Sequence, residues 1–267
     1  MPTATNAKWN AADYAANSAV QQAWARELVA KLKLRGDEHI LDVGCGDGKV
    51  TAEIARAVPH GCATGVDSSR QMISFAKKTF SAKKNPNLAF RVMDARRLRF
   101  ATKFDVVFSN AALHWVDDHP AILRGAAGVL KSGGRLLVSC GGKGNAQDVF
   151  VGLRPEMRLV RWRRFFRKLP KPYFFYAPED YKKWLLRFGF KSSCVELAPK
   201  GATYNGRAGF AAWLRTTWLP YTQRVPEALR EQFIAAVAER YVAKHPVDES
   251  GKIHVRMVRL EIDAVKV

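Results

Sequence analysis

Apolar positions along the chain follow two spacings that alternate. Between residues 39 and 140, short apolar runs of strand length are separated by stretches where apolar residues recur every three or four positions. The runs at 39–43, 62–66, 88–93, 104–110 and 136–140 predict strands, and the stretches at 50–58 and 70–80 predict helices. Pro59-His60-Gly61 and Lys131-Ser132-Gly133-Gly134-Arg135 supply turns between them. Five strands with four helical crossovers imply a parallel sheet with right-handed connections. Ahead of them, Ala23, Trp24, Leu28 and Leu32 form the stripe of a helix over 20–34, with Gly36 as its C-cap.

After Gly141-Gly142 the pattern changes. Residues 148–169 read as a helix in which Val149, Leu153, Met157, Val160 and Phe165 interleave with seven cations from Arg154 to Lys168. For most of these charges a solvated helix face is the better account, although one or two inward-facing arginines would make a carboxylate clamp. Prolines at 170 and 178 break this segment, a helix follows at 179–188, and Gly189 closes it. Residues 192–197 and 253–265 alternate as a sixth and a long seventh strand. Between them lies an insertion, 202–251, holding an aromatic stretch at 210–221 and a helix at 227–244. The chain divides accordingly into 1–144 (helical segment and strand–helix core), 145–177 (basic helical lid), 178–201 (return to the core), 202–251 (second helical lid) and 252–267 (seventh strand), within one compact domain.

Composition narrows this picture only in part. The 267 residues carry a formal net charge of +20, which favours anionic partners without choosing among small acids, nucleic acid and a membrane surface. No apolar run is long enough to span a bilayer, and residues 1–10 lack a signal-peptide core. Cys45, Cys62, Cys140 and Cys194 show no metal-like spacing and read as free thiols of a cytoplasmic protein. No metal is expected.

The candidate chemistry starts at Asp42-Val43-Gly44-Cys45-Gly46-Asp47-Gly48, a glycine loop between the first strand and the first crossover helix. This is where doubly wound folds bind a nucleotide-like ligand. Lys49 stands where a dinucleotide fingerprint needs glycine, and Val50 follows Gly48-Lys49 where a phosphate loop needs Ser or Thr. Asp42 and Asp47 would repel a pyrophosphate. They suit a ligand that carries an ammonium and a sulfonium. Asp67 closes the second strand, about twenty positions beyond the glycines, and is placed to accept two ribose hydroxyls. Ser68 is read as the cap of the helix that follows. Met72 on that helix covers one adenine face or is a core methionine.

At these residues the sequence resembles the class I S-adenosylmethionine-dependent methyltransferases. The resemblance implies an α/β, Rossmann-like, seven-stranded, mostly parallel sheet whose last strand is antiparallel, with helical lid insertions. It implies S-adenosylmethionine as cofactor, S-adenosylhomocysteine as product, and Asp94 as acceptor of the adenine exocyclic amine. The expected cofactor set is Asp42, Gly44, Cys45, Gly46, Gly48, Asp67, Ser68, Met72, Asp94, Ala95, Asn110 and Ala111.

For the acceptor, Ser109-Asn110-Ala111-Ala112 lacks the Asn/Asp-Pro-Pro-aromatic tetrad of enzymes that methylate adenine or glutamine nitrogen, so nucleic acid loses weight. A carboxylate is already ionised at pH 7 and needs no base, whereas a phenol or amine needs one, for which His114 is the candidate. The polar residues Tyr14, Ser18, Gln21 and Gln22, the pair His114-Trp115 and the Trp213–Tyr221 element resemble the trans-aconitate methyltransferase-like group, and in part the juvenile-hormone-acid methyltransferases of insects. Both groups esterify carboxylates. The resemblance implies that Trp115 and a glutamine at 21 or 22 donate to the acceptor, with Trp213 and Trp218 in the lid. The expectation is a monomeric carboxyl O-methyltransferase of a small organic acid. O- or C-methylation of a larger apolar product, with His114 as base, stands second, and an RNA-associated enzyme third. No membrane partner is expected.

Overall fold

The computed structural model describes Asp13 and residues 19–267; Tyr14 and Ser18 lie outside the described residues. Seven strands form one sheet in the order β3-β2-β1-β4-β5-β7-β6. β1 (His39–Val43), β2 (Cys62–Asp67), β3 (Leu88–Val92), β4 (Phe104–Asn110) and the paired part of β5 (Leu130–Gly141) run parallel. β7 (Lys252–Lys266) pairs antiparallel with β5, from Arg135 opposite Val265 to Gly141 opposite Arg259. The order reverses between β1 and β4, and their carboxyl ends open the crevice in which doubly wound sheets bind ligands.

The described residues pack into two compact units: 19–143 with Tyr173–Ala198 and Arg259–Val267 make the first, and Asp13 with Gly144–Pro172 and Pro199–Val258 the second. In the first unit both sheet faces are covered. One layer packs Leu41, Val107, Leu136 and Ile262 against Ile122, Leu123, Tyr181 and Leu185. The other packs Ile40, Phe108 and Leu137 against Leu28, Ile54 and Ile73. Each such side chain contributes about 1.5–3 kcal/mol on leaving water, so the central strands are held from both sides.

The helices of this unit are α1 (Ala19–Ala30), α2 (Lys49–Ala57), α3 (Arg70–Thr79), α4 (His119–Val129) and α6 (Pro178–Arg187). α1 is shorter than the expected 20–34, because Lys33 takes a left-handed φ of 51° and turns the chain before Gly36. Its buried residues are Ala25 and Leu28, Leu32 is buried just beyond its end, and Ala23 faces solvent. The cap of α3 is Ser69, not Ser68: the Ser69 Oγ accepts the Met72 N–H at 3.3 Å. Asp118 caps α4 by accepting the Ala121 N–H at 2.9 Å, with Pro120 in the first turn, where a missing N–H costs nothing.

The second unit contains α5 (Gln147–Arg158), α7 (Gly206–Thr217), the short α8 (Leu219–Thr222) and α9 (Glu227–Val242). The helix expected over 148–169 is cut short at Arg158. Leu159 adopts an extended backbone, and a separate 3-10 turn covers Arg163–Phe166. The break is held by buried Glu156, which accepts Arg161 Nη2 (2.7 Å) and Trp162 Nε1 (2.9 Å) on one oxygen and Arg240 Nε (3.1 Å) on the other. β6 (Phe190–Asn205) is far longer than the expected 192–197, and runs past Pro199 into this unit.

Candidate active site

The loop from Val43 to Gly48 is shaped by backbone bonds before any side chain enters. Gly44 and Cys45 both donate their N–H groups to the Val66 carbonyl, at 2.7 and 3.0 Å, so the loop folds back over the end of β2. Gly44 has φ 80°, and a Cβ there would lie 2.1 Å from Ala112 Cβ. Gly48 has φ 82°, opens α2, and would drive a Cβ to 2.7 Å from Phe90. Only glycine meets both demands.

Asp67 ties the loop to β2. Its Oδ2 accepts the Gly46 N–H at 3.1 Å and its Oδ1 the Ser69 N–H at 2.8 Å. Burial raises its pKa against the pull of those two donors. Asp42 lies beneath the loop and accepts the Thr51 hydroxyl at 2.6 Å; burial pushes it up to about 7. Asp47 turns inward, accepting the Lys49 N–H at 3.2 Å and facing Lys49 Nζ at 3.5 Å. Buried Cys45 has its thiol pushed well up, by burial first and then by Asp42 and Asp67. Three carboxylates thus gather at this loop with one lysine beside them.

Asp94 is engaged by its own neighbour. The Arg96 guanidinium reaches Oδ1 at 3.1 Å and Oδ2 at 2.7 Å, while the Arg96 N–H bonds Oδ1 at 2.9 Å, which holds the carboxyl below its usual range. Ala95 begins the 3-10 turn behind it. Ser68 is exposed, and Met72 is buried.

At the end of β4, Asn110 donates Nδ2 to the Gln21 carbonyl at 3.1 Å, and Ala111 bends away with φ 56°, its N–H on the Ser139 carbonyl. A non-glycine residue in that region is strained. Gln21 and Gln22 part company. The Gln22 amide is spent on Glu53 at 2.8 Å, whereas Gln21 Oε1 is buried with no hydrogen-bond partner among the described residues.

His114 sits on a 3-10 turn, Leu113–Trp115, just beyond β4. The Gly141 N–H donates to its Nδ1 at 3.2 Å, so the ring proton resides on Nε2. Enclosure first, then Arg259 and His119, holds its pKa well below the usual histidine value. Around it stand Trp115, Tyr173 and Phe175, with ring centroids at 5.8, 6.2 and 5.9 Å. Trp115 meets Tyr173 edge-on at 4.9 Å. The turn itself is moored by His119, whose Nε2 bonds the Leu113 carbonyl at 2.8 Å and whose Nδ1 meets the Tyr181 hydroxyl at 2.5 Å.

Two features of this site escaped the sequence. The segment 173–176 looked like a mere break, yet the Phe174 N–H bonds the His114 carbonyl at 2.9 Å. The buried arginine is Arg259 of β7, 3% exposed, with Nη2 on the Ser139 carbonyl (2.6 Å) and near Asn110 Oδ1 (3.5 Å), and with its guanidinium over Trp24. A cation inside the apolar run Val258-Arg259-Leu260 was the available signal. The arginines from 154 to 167 supply no such clamp: all are exposed, because Val149, Phe150, Leu153 and Glu156 occupy the inner face of α5. Trp213 and Trp218 belong to the second unit and are buried in its aromatic cluster, Trp213 against Tyr204 and Phe210, Trp218 against Phe150 and Tyr221. Among the described residues no group of three or more metal-ligating side chains gathers.

A sheet reversing at β1 and β4, with an acid-flanked glycine loop and carboxylates at the ends of β2 and β3, defines a nucleoside-binding core of the methyltransferase type. A family model described as a methyltransferase domain matches residues 40–134. The chain is 31% identical over 193 residues to an uncharacterised methyltransferase of Schizosaccharomyces pombe, covering 70% of this chain and 72% of that one. It is 29% identical over 269 residues to trans-aconitate 2-methyltransferase of Agrobacterium fabrum, covering 97% and 99%. Its fold matches a Bacillus halodurans protein regarded as a methyltransferase, with a TM-score of 0.62 at 19% identity over 91% and 99% of the two chains. The chain belongs to the class I S-adenosylmethionine-dependent methyltransferases. Its residues fit that cofactor: the loop's three carboxylates suit a sulfonium, and the orphaned Gln21 Oε1 is an acceptor in want of a donor such as an ammonium.

Proposed function

We propose that the chain methylates the carboxylate of a small organic acid. The observation that carries this reading is the Gly141 N–H on His114 Nδ1. It consumes the lone pair a general base would use and leaves Nε2–H as a donor. Enclosure keeps the ring neutral, so it neither takes a proton readily nor carries a charge. A phenol or amine acceptor would then lack a base at this position, while a carboxylate, with a reference pKa near ~4, arrives ionised.

Bound S-adenosylmethionine supplies an electrophilic methyl group. The chain's share is to hold and orient. Asp67 would take the ribose hydroxyls with the lone pairs its backbone donors leave, and Asp94 with Ala95 would face the adenine. Backbone groups of the Gly44-Cys45-Gly46 turn and Gln21 would take the methionine end. His114 Nε2–H would bind the acceptor oxygen that does not react, because a donor on the attacking oxygen would weaken it as a nucleophile. Trp115, Tyr173 and Phe175 would wall the acceptor and exclude water, which favours an in-line approach at about 3 Å. The similarity to a trans-aconitate 2-methyltransferase along nearly the whole chain supports an anionic acceptor.

The reading is tested with S-adenosylmethionine and a panel of di- and tricarboxylic acids, short fatty acids, phenols and amines. A methyl ester that base hydrolyses back to the acid is the expected product. Turnover of phenols or amines alone would sink the proposal, and would require Gly141 to release His114.

A further inference from the structure

The strongest feature that methyl transfer leaves unused is the surface of the second unit from α5 through the turn after it. The exposed positions of α5 are Gln147, Val151, Arg154, Pro155 and Arg158, which helical spacing places on one face. The chain then turns, and Val160 projects into solvent with 76% of its surface exposed, beside Leu159 at 37%. Arg161, Arg163, Arg164, Arg167 and Lys168, all exposed, follow directly. The two acids of the segment are already committed, Glu156 to Arg161 and Arg240, and Asp148 to Arg256. Arg158, Arg163, Arg164, Arg167 and Lys168 have no acidic partner among the described residues. Arg164 lies over the half-buried ring of Phe165, which keeps its guanidinium at the surface.

An apolar tip ringed by cations has two demands, and one partner meets both. We propose that the turn at residues 158–164 is a docking surface for an anionic lipid membrane, with Leu159 and Val160 entering the headgroup boundary and the arginines bound to lipid phosphates and carboxylates. A nucleic acid backbone would satisfy the cations and leave the aliphatic tip in water. A lipid surface takes up apolar side chains as well. The contact is peripheral, since no described helix is long and apolar enough to cross a membrane. It is independent of the acceptor reading, because none of these residues has a part in the methyl-transfer site.

Co-sedimentation of the full chain with vesicles tests it. Vesicles of phosphatidylcholine alone are compared with vesicles in which about one-third of the lipid is phosphatidylserine, at low salt. Binding is expected on the anionic vesicles only, and is expected to weaken as salt shortens the Debye length from about 10 to about 3 Å. Arg163→Glu with Arg164→Glu should reduce it by at least twentyfold, at about fivefold for each cation lost. Salt and charge reversal would weaken RNA binding too, so the deciding variant is the neutral Val160→Asn. It should lower vesicle binding roughly tenfold and leave binding to a homopolymer RNA unchanged. Circular dichroism and melting of each variant confirm that the fold is intact, as these side chains point into solvent. Absence of binding to anionic vesicles at low salt overturns the proposal. So does vesicle binding that Val160→Asn leaves unchanged, and RNA bound more tightly than vesicles would give the surface to nucleic acid instead.

Discussion

Gly141 donates its backbone N–H to His114 Nδ1 at 3.2 Å, and this bond decides what the histidine can do. Gly141 ends β5 and His114 stands beyond β4, so the pairing of two parallel strands fixes the tautomer of a side chain that belongs to neither. The ring is a neutral donor because the sheet makes it one.

If His114 orients the acceptor, its loss should fall mainly on KM. His114→Asn, which retains an N–H donor, is expected to raise KM for the acid while kcat stays within about tenfold of wild type. His114→Ala should cost more in both, with S-adenosylhomocysteine binding retained. Because the histidine pKa lies well below its usual value, kcat/KM for the acid at saturating S-adenosylmethionine should be flat from about pH 6 to about pH 9. A rise through the ordinary histidine range would point to a base. Steady-state kinetics over that range decide it.

Gly44→Ala is expected to abolish tight cofactor binding. The added Cβ meets Ala112 at 2.1 Å and the backbone sits at φ 80°, so the loop or the end of β4 must shift. Such strain costs on the order of 1–3 kcal/mol. The measurements are titration calorimetry with S-adenosylhomocysteine and a thermal melt.

Asp42 gives a stability signature with a defined sign. Its pKa rises from 3.8 in the unfolded chain to about 7 in the folded one, so the folded state binds its proton more tightly. This stability is fully present below pH ~4, is lost as pH rises towards ~7, and is constant above. Asp42→Asn keeps an acceptor for Thr51 and removes the cost of a buried charge. It should raise the melting temperature of the ligand-free protein at pH 8, by up to a few kcal/mol in stability. It should also weaken cofactor binding, since a cationic ligand favours the ionised carboxylate. A variant that melts lower at pH 8 would contradict this.

His119 carries the opposite sign. Burial lowers its pKa from 6.5 to about 4, so the unfolded chain takes up a proton that the folded one refuses. Its contribution is present above pH ~6.5 and is lost as pH falls towards ~4. Tyr181→Phe and His119→Leu each leave buried partners unsatisfied, and should cost about 1–3 kcal/mol. Because His119 moors Leu113, both should also raise KM for the acceptor. Denaturant melts at pH 5 and pH 8 separate the two effects.

Glu156 tests the second unit. With two arginines and an indole on its carboxylate, Glu156→Leu leaves the buried Trp162 N–H without its acceptor, while Arg161 and Arg240 stay in reach of water, and should destabilise by about 1–3 kcal/mol. Glu156→Gln should cost less, as it keeps one acceptor oxygen. Differential scanning calorimetry gives both values.

The cofactor half was readable because its signals are local. The glycines at 44, 46 and 48 and the acids at 42, 67 and 94 are fixed by strand ends, and strand ends follow from apolar runs and turn residues a few positions apart. Ser68 was misread as a cap because adjacent serines offer the same hydroxyl, and only the turn at Asp67 shows that Ser69 reaches the Met72 N–H. The helix expected over 148–169 was overrun for a related reason. Its break closes on Glu156 through Arg161 and Trp162, and Glu156 is anchored in turn by Arg240, 84 residues away.

The sequence by itself determined the donor. A loop that must be glycine, flanked by carboxylates rather than phosphate-binding groups, narrows the ligand to a cationic nucleoside through residues that are neighbours in the chain. Tertiary structure decided what surrounds the end of β4: the proton position on His114, set by Gly141; the burial of Arg259 beside Asn110; and the Tyr173–Phe175 segment against His114. Each of these depends on strands meeting across tens or more than a hundred residues. Hydrogen-bond direction and desolvation arise only there, so no local pattern could encode them.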